Sequence, residues 1–165
     1  MIVAFCGHSI YQEGKEHKRQ VLDFLEEKNA GEAVEFYLGL YGAFDRFAYS
    51  CAKAYKVCHP SSSLVLVTPY LSPVYLEKRT ELIEYDRILY PALEGVPPRA
   101  AIVRCNRYVM EQADIVLAYV LYHRGGAYAS FMHARKCGKC IFNLGDGMII
   151  EKRNCSTASV IFCDM

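Results

Sequence analysis

The stretch Asp114-Ile115-Val116-Leu117-Ala118-Tyr119-Val120-Leu121, followed by Tyr122-His123-Arg124-Gly125-Gly126-Ala127-Tyr128, decides the fold. Its first half is an unbroken apolar run, the pattern of a strand covered on both faces. The glycine pair punctuates it, and Gly125 to Cys137 then carries the spacing of a helix. Cys140 to Leu144 is apolar again and reads as the next strand. A strand, a crossover helix and a second strand within one short segment form a βαβ unit, whose strands run parallel.

Working outward, the same alternation fills the chain. Ile2 to Cys6 is a first strand, and Gln12 to Lys28 places Val21, Leu22 and Leu25 at helical spacing before Asn29-Ala30-Gly31 ends the element. Ala33 to Leu38 and Ser63 to Thr68 read as strands, with helices predicted over Phe44 to Lys56 and Arg104 to Ala113. Five or more strands of a mostly parallel sheet result, an α/β architecture. Between Pro69 and Pro98 five prolines loosen the pattern, and an insertion of a short helix plus an ordered loop is expected there. The tail, 146–165, is less regular, with a possible edge strand at Ser159 to Cys163. No linker or repeat divides the sequence, so a single domain over 1–165 is expected.

With 165 residues, 53% hydrophobic and 22% charged, the chain can bury a core without disulfides or a structural metal. Lys and Arg number nineteen against eighteen Asp and Glu, a net charge of +1. Such a sum provides no long-range field for a polyanion, which makes nucleic acid an unlikely partner on this reading. The opening Met1-Ile2-Val3-Ala4-Phe5-Cys6-Gly7 lacks a basic leader and is too short for a membrane span, so a cytoplasmic protein without membrane contact is expected. In that reducing setting Cys6, Cys51, Cys105 and Cys163, all within apolar runs, act as small hydrophobes. Cys137-Gly138-Lys139-Cys140 follows a helix rather than starting one, at the dipole end that disfavours a thiolate, and nothing nearby but Cys58-His59 could complete a zinc set. Gly138 as a helix cap explains it, and no metal or cofactor is expected.

In an open parallel sheet, ligands bind beyond the carboxyl ends of the strands. At those points stand Gly7-His8-Ser9, then Gly39-Leu40-Tyr41-Gly42-Ala43-Phe44-Asp45, then Thr68-Pro69-Tyr70, then His123-Arg124-Gly125-Gly126-Ala127-Tyr128. Glycine permits close backbone approach, and free amides at a helix start accept an anion. Gly125-Gly126 directly precedes small residues and is the best anion candidate. His8 would wall the pocket, and Arg107, three residues after Arg104, would add charge. Tyr41, Phe44, Tyr70 and Tyr128 could stack on a base. Neither G-x-G-x-x-G nor a phosphate loop is present, which disfavours ordinary NAD binding and NTP hydrolysis.

The ordered series Phe5-Cys6-Gly7-His8-Ser9, Tyr41-Gly42-Ala43-Phe44-Asp45, Val67-Thr68-Pro69-Tyr70, Arg104-Cys105-Asn106-Arg107 through Val120, and Gly125-Gly126-Ala127-Tyr128 resembles the SLOG superfamily. It is similar to the small stand-alone, YpsA-related branch found in Gram-positive bacteria and their phages, and the resemblance runs from residue 2 to about 145. It implies a Rossmann-like three-layer sandwich, a nucleotide or nucleotide-derived ligand, and a homo-oligomer with a dimer favoured. The superfamily includes the LOG phosphoribohydrolases and DprA. LOG enzymes carry Gly-Gly-x-Gly-Thr-x-x-Glu, where this chain has Tyr128 for the third glycine and Met132 for the glutamate. A thioether can neither stabilise an oxocarbenium-like charge nor activate water.

Binding as a sensor or carrier is therefore the leading expectation. An N-glycoside hydrolase or transferase using another carboxylate is the alternative, and a DNA-associated or scaffolding role is the third. The substitute carboxylates are Asp45, Glu77, Glu81 and Asp86. Asp45 is the strongest, although a first-turn acid also suits the helix dipole and caps free amides. Glu77, Glu81 and Glu84 share one helical face, as solvated residues do.

Overall fold

A computed structural model describes residues 1–71 and 85–151, together with the backbone of 160–161. The described elements run β1 (Ile2–Gly7), α1 (His17–Asn29), β2 (Glu35–Leu38), α2 (Ala43–Cys58), β3 (Ser63–Val67), β4 (Arg87–Leu89), α3 (Pro98–Gln112), β5 (Ile115–Tyr119), α4 (Gly125–Lys136), β6 (Cys140–Asn143), β7 (Met148–Ile150) and β8 (Val160–Ile161).

They form one eight-stranded sheet in the order β4-β3-β2-β1-β5-β6-β7-β8. The first six strands are parallel, with Val3 opposite both Phe36 and Ile115, and β7 and β8 add antiparallel at one edge. Strand order reverses between β1 and β5, which makes their carboxyl ends the topological switch point.

The two-residue period of the strands sorts side chains onto two faces. Val3, Phe36, Leu38, Leu64, Ile115, Leu117 and Phe142 pack with Val21, Phe24 and Leu25 of α1 and Phe44, Phe47, Cys51 and Tyr55 of α2. Ala4, Cys6, Val65, Val67, Val116, Ala118 and Ile141 pack with Ala101, Cys105, Val109 and Met110 of α3 and Phe131 and Ala134 of α4. The result is a Rossmann-like α/β/α sandwich, as the βαβ alternation implies.

Helix boundaries differ from those read in the sequence for identifiable reasons. α1 begins at His17 rather than Gln12 because Tyr11 is drawn into tertiary contact. Its ring lies 4.7–5.2 Å from those of Phe44, Phe47 and Tyr119, and its hydroxyl is 2.8 Å from His17 Nδ1. α3 begins six residues early, at Pro98, whose locked φ and missing N–H suit the first helical position. β4 lies within the Pro-rich segment and pairs with β3, with Arg87 bonded to Glu35 at 2.9 Å. The short helix expected in that segment, along with Glu77, Glu81 and Glu84, lies outside the described residues, as does Cys163. In the tail, β7 and β8 supply the edge strands. Gly138, at φ +65°, ends α4 by bonding its N–H to Arg135 O, 3.1 Å away.

Candidate functional site

Above the carboxyl ends of β1, β2, β3 and β5 the sheet, α2, α3 and α4 enclose a cleft of about 600 Å³, within the range of small-molecule sites. The structure brings Gly7, His8, Ser9, Gly39, Gly42, Phe44, Asp45, Pro69, Gly125, Gly126 and Ala127 to its walls. Tyr41 also reaches it.

Three expected residues lie outside the lining. Tyr70 turns away to donate its hydroxyl to Pro98 O at 2.8 Å. Tyr128 packs beside His123, ring centroids 5.1 Å apart, and against the α3–α4 core. Arg107 is exposed on α3, and its neighbour Asn106 faces the cleft instead. The helical stripe Ile102, Cys105, Asn106, Val109 and Met110 forms one wall, a pattern legible at i, i+3, i+4, i+7, i+8. Tyr122, Arg124 and Ser130 line the cleft as well and were missed. Their adjacency to Gly125-Gly126 was the available signal.

The β1 exit is rigid. Gly7 lies against Phe44, and a Cβ there would meet the ring at 2.3 Å. His8 is buried, its Nε2 accepting the Leu121 N–H at 3.1 Å, and its ring stacks on Tyr122 at 3.7 Å and 13°. An accepting Nε2 means a neutral imidazole with its proton on Nδ1, and burial pulls the His8 pKa below its ordinary 6.5. The Arg124 guanidinium lies over the Tyr122 ring, 5.5 Å from its centroid. His8, Tyr122 and Arg124 thus form one contiguous cluster beside the cleft. Asn143 braces the same loop from β6, bonding the N–H and O of Val120 at 2.9 and 3.0 Å.

At the start of α4, Gly125 has φ +83°, and apart from chain neighbours and the helix's own backbone no atom of the described residues lies within 4 Å of a Cβ built on Gly125 or Gly126. This helix start is open. Arg124 occupies its N-cap, without an ion-pair partner among the described residues, and the Ser130 side chain, 7% exposed, has no hydrogen-bond partner among them.

The loop after β2 is built oppositely. Asp45, in the first turn of α2, accepts the Tyr41 N–H at 2.6 Å and the Gly42 N–H, the N3 half of a capping box whose N-cap is glycine. Gly39 packs on the carboxylate, where a Cβ would come within 3.2 Å of Oδ1. Burial raises the Asp45 pKa, opposed by those two amides and by Arg46.

Asp86 stands elsewhere. It accepts the Leu64 N–H at 2.6 Å and pairs with Lys56 at the amino end of β3, across the sheet from the cleft. Those contacts lower its pKa, and as a cleft carboxylate it is ruled out by position. Met132, at the register of the LOG glutamate, packs on the α3–α4 core and does not line the cleft. Cys6 and Cys105 line the floor as thiols, their pKa values pushed by burial to about 12 and about 11.

The fold and the cleft at its switch point define a Rossmann-like α/β protein with a candidate ligand site. No family model and no curated protein sequence matches the chain. Among solved structures it is similar to DNA processing protein A (DprA) from Streptococcus pneumoniae, with a TM-score of 0.59 and 17% identity over 86% of this chain and 49% of that one. It is also similar to DNA processing protein A from Helicobacter pylori, with a TM-score of 0.55 and 17% identity over 87% of this chain and 64% of that one. The chain thus spans about half to two thirds of these neighbours, and the likeness is one of fold.

The expectation that nucleic acid is an unlikely partner requires correction. The Helicobacter protein is reported for its single-stranded DNA binding mode, so a fold of this kind is compatible with that partner. The physical error lay in using a whole-chain sum. Between Pro98 and Lys139 stand seven Lys and Arg against two carboxylates, Glu111 and Asp114. Glu111 is engaged by His133 and Asp114 by the Ile2 N–H, leaving Arg99, Arg104 and Arg107 exposed without an ion-pair partner among the described residues. The near-neutral total conceals a basic α3–α4 layer. No described helix is long and apolar enough to cross a membrane.

Proposed function

We propose that the chain is a member of the SLOG superfamily, of the YpsA-related stand-alone branch, and binds a nucleotide or nucleotide-derived molecule in the cleft without turning it over. The observation that carries this reading is the open start of α4. Free amides at Gly125 and Gly126, the Arg124 charge and the Ser130 hydroxyl converge where none of the described residues occupies the space. An anion such as a phosphate complements that convergence, and the apolar α3 wall of Ile102, Val109 and Met110 offers a surface for a base. The motif series of the sequence and the fold likeness to DNA processing protein A support the superfamily assignment.

Binding without turnover follows from Met132 in place of the LOG glutamate and from Asp45 being engaged by two loop amides. The test is calorimetry with nucleoside monophosphates on the wild-type protein and on Gly126→Val. Binding by the first and none by the second is expected, with both melting alike. Equal affinity in the variant refutes the anion site, and free base among the products after incubation refutes the absence of turnover.

A second reading is single-stranded DNA binding, favoured by the basic α3–α4 layer and the fold likeness. It predicts retention of an oligonucleotide that weakens steeply with salt and on replacing Arg104 and Arg107. Salt-insensitive or absent retention removes it.

A further inference from the structure

The two ends of the cleft carry opposite signs, and among its described lining residues Asp45 is the sole carboxylate. A carboxylate offers about four acceptor positions. Described donors to Asp45 are the amides of Tyr41 and Gly42, which fix its orientation and leave its remaining lone pairs without a protein donor among the described residues. The loop is shaped around this group, with Gly39 against its oxygens and Gly42 closing on the Ser9 backbone, where a Cβ would come within 3.2 Å. A desolvated carboxylate with spare acceptors is matched by a ligand that brings hydroxyl donors.

Its place in the sheet narrows the choice. α2 follows β2, which is the neighbour of β1 on the side away from β5, while the anion-accepting helix follows β5. A nucleotide whose phosphate sits at the start of α4 and whose sugar extends across β1 presents that sugar to the loop after β2. In dinucleotide-binding α/β folds an acid in the corresponding region accepts the ribose 2′-hydroxyl.

We infer that Asp45 is a specificity-determining residue that accepts the vicinal 2′,3′-diol of a ribose. The cleft then selects ribonucleotides over 2′-deoxyribonucleotides and repels a 2′-phosphate. The inference rests on the nucleotide reading proposed above and adds the identity of the sugar.

Calorimetric titration with AMP and 2′-deoxyAMP, and with GMP and 2′-deoxyGMP, tests it. Loss of a hydroxyl donor to a charged acceptor should weaken binding about tenfold or more. Asp45→Asn should lower AMP affinity by a similar factor and leave 2′-deoxyAMP nearly unchanged. Adenosine 2′,5′-bisphosphate should bind wild type more weakly than AMP does.

Equal affinities of the ribo and deoxy forms for wild type overturn the sugar preference while leaving the nucleotide reading intact. Binding of neither form overturns both. A folded Asp45→Asn protein that keeps the ribo preference removes Asp45 from the role. If that variant melts early, the wild-type ribo-to-deoxy ratio decides alone.

Discussion

Two glycine-bearing loops of the same kind, one after β2 and one after β5, face each other across the cleft, and they are built on opposite principles. In the β2 loop the glycines are required by crowding, since Gly39 touches the Asp45 carboxylate and Gly42 the Ser9 backbone. In the β5 loop a Cβ on either glycine would meet none of the described residues beyond the local backbone. One loop folds its amides onto its own Asp45 side chain, whereas among the described residues nothing packs on the glycines of the other, which lie beside Arg124 and the Ser130 hydroxyl. A glycine in a strand-to-helix turn therefore marks either internal packing or an open surface, and only the atoms around it distinguish the two.

Substitutions that add one methyl group break the comparison most directly. Gly7→Ala, which drives a Cβ into the Phe44 ring, should lose about 3 kcal/mol of unfolding free energy, at the upper end of overpacking costs. Gly39→Ala should lose about 1 kcal/mol, because the contact there is tight rather than impossible. Gly126→Ala should be neutral or gain up to about 1 kcal/mol, since alanine is the better helix former. Urea unfolding of the three variants reads this order directly. A Gly126→Ala loss as large as that of Gly7→Ala would show that the β5 loop is packed after all.

Arg124→Ala separates charge from packing at the vacant loop. The guanidinium rests on Tyr122 and has no ion pair among the described residues, so the melting temperature should hardly move. Nucleoside monophosphate affinity should fall about fivefold to tenfold, with a shallower dependence on salt. An unchanged affinity would leave the backbone amides and the Ser130 hydroxyl as the anion-binding groups.

Much of this was legible from sequence because strands with unbroken apolar runs and helices with a regular stripe carry their own pattern. β1, β3, β5, β6 and both βα loops of the cleft were located that way, and the sheet direction followed. What escaped has a common physical cause. The first turn of α1 gave way to the Tyr11 aromatic contacts, β4 is too short to show a period, and α3 reaches back to a proline pair that reads equally as a loop. Asn106 and Arg107 differ by one position and about 100° of helix rotation, which chain spacing alone does not orient. The partner inference from net charge failed because a sum over 165 residues carries no information on which face the arginines occupy.

The smallest expected effect concerns the hinge between the two loops, His8, which braces the β5 exit from the end of β1. Its Nε2 accepts the Leu121 N–H only while the imidazole is neutral, and its folded pKa lies below 6.5. A depressed folded pKa means that the unfolded chain takes up the proton first, so the His8 contribution is intact above 6.5 and is lost as pH falls through the folded value. Wild-type protein should therefore lose stability more steeply than His8→Gln, whose side chain does not titrate, as pH falls below 6.5. The difference between their two melting curves isolates this group from the other carboxylates and histidines. Loosening of Leu121 would also loosen Tyr122 and Arg124, so nucleotide affinity should fall more steeply in the wild type than in His8→Gln, the titration of the ligand's own phosphate near pH 6 being common to both. Parallel pH profiles for the two proteins would show that the β5 loop is held by Asn143 alone, and that the two loops are mechanically independent.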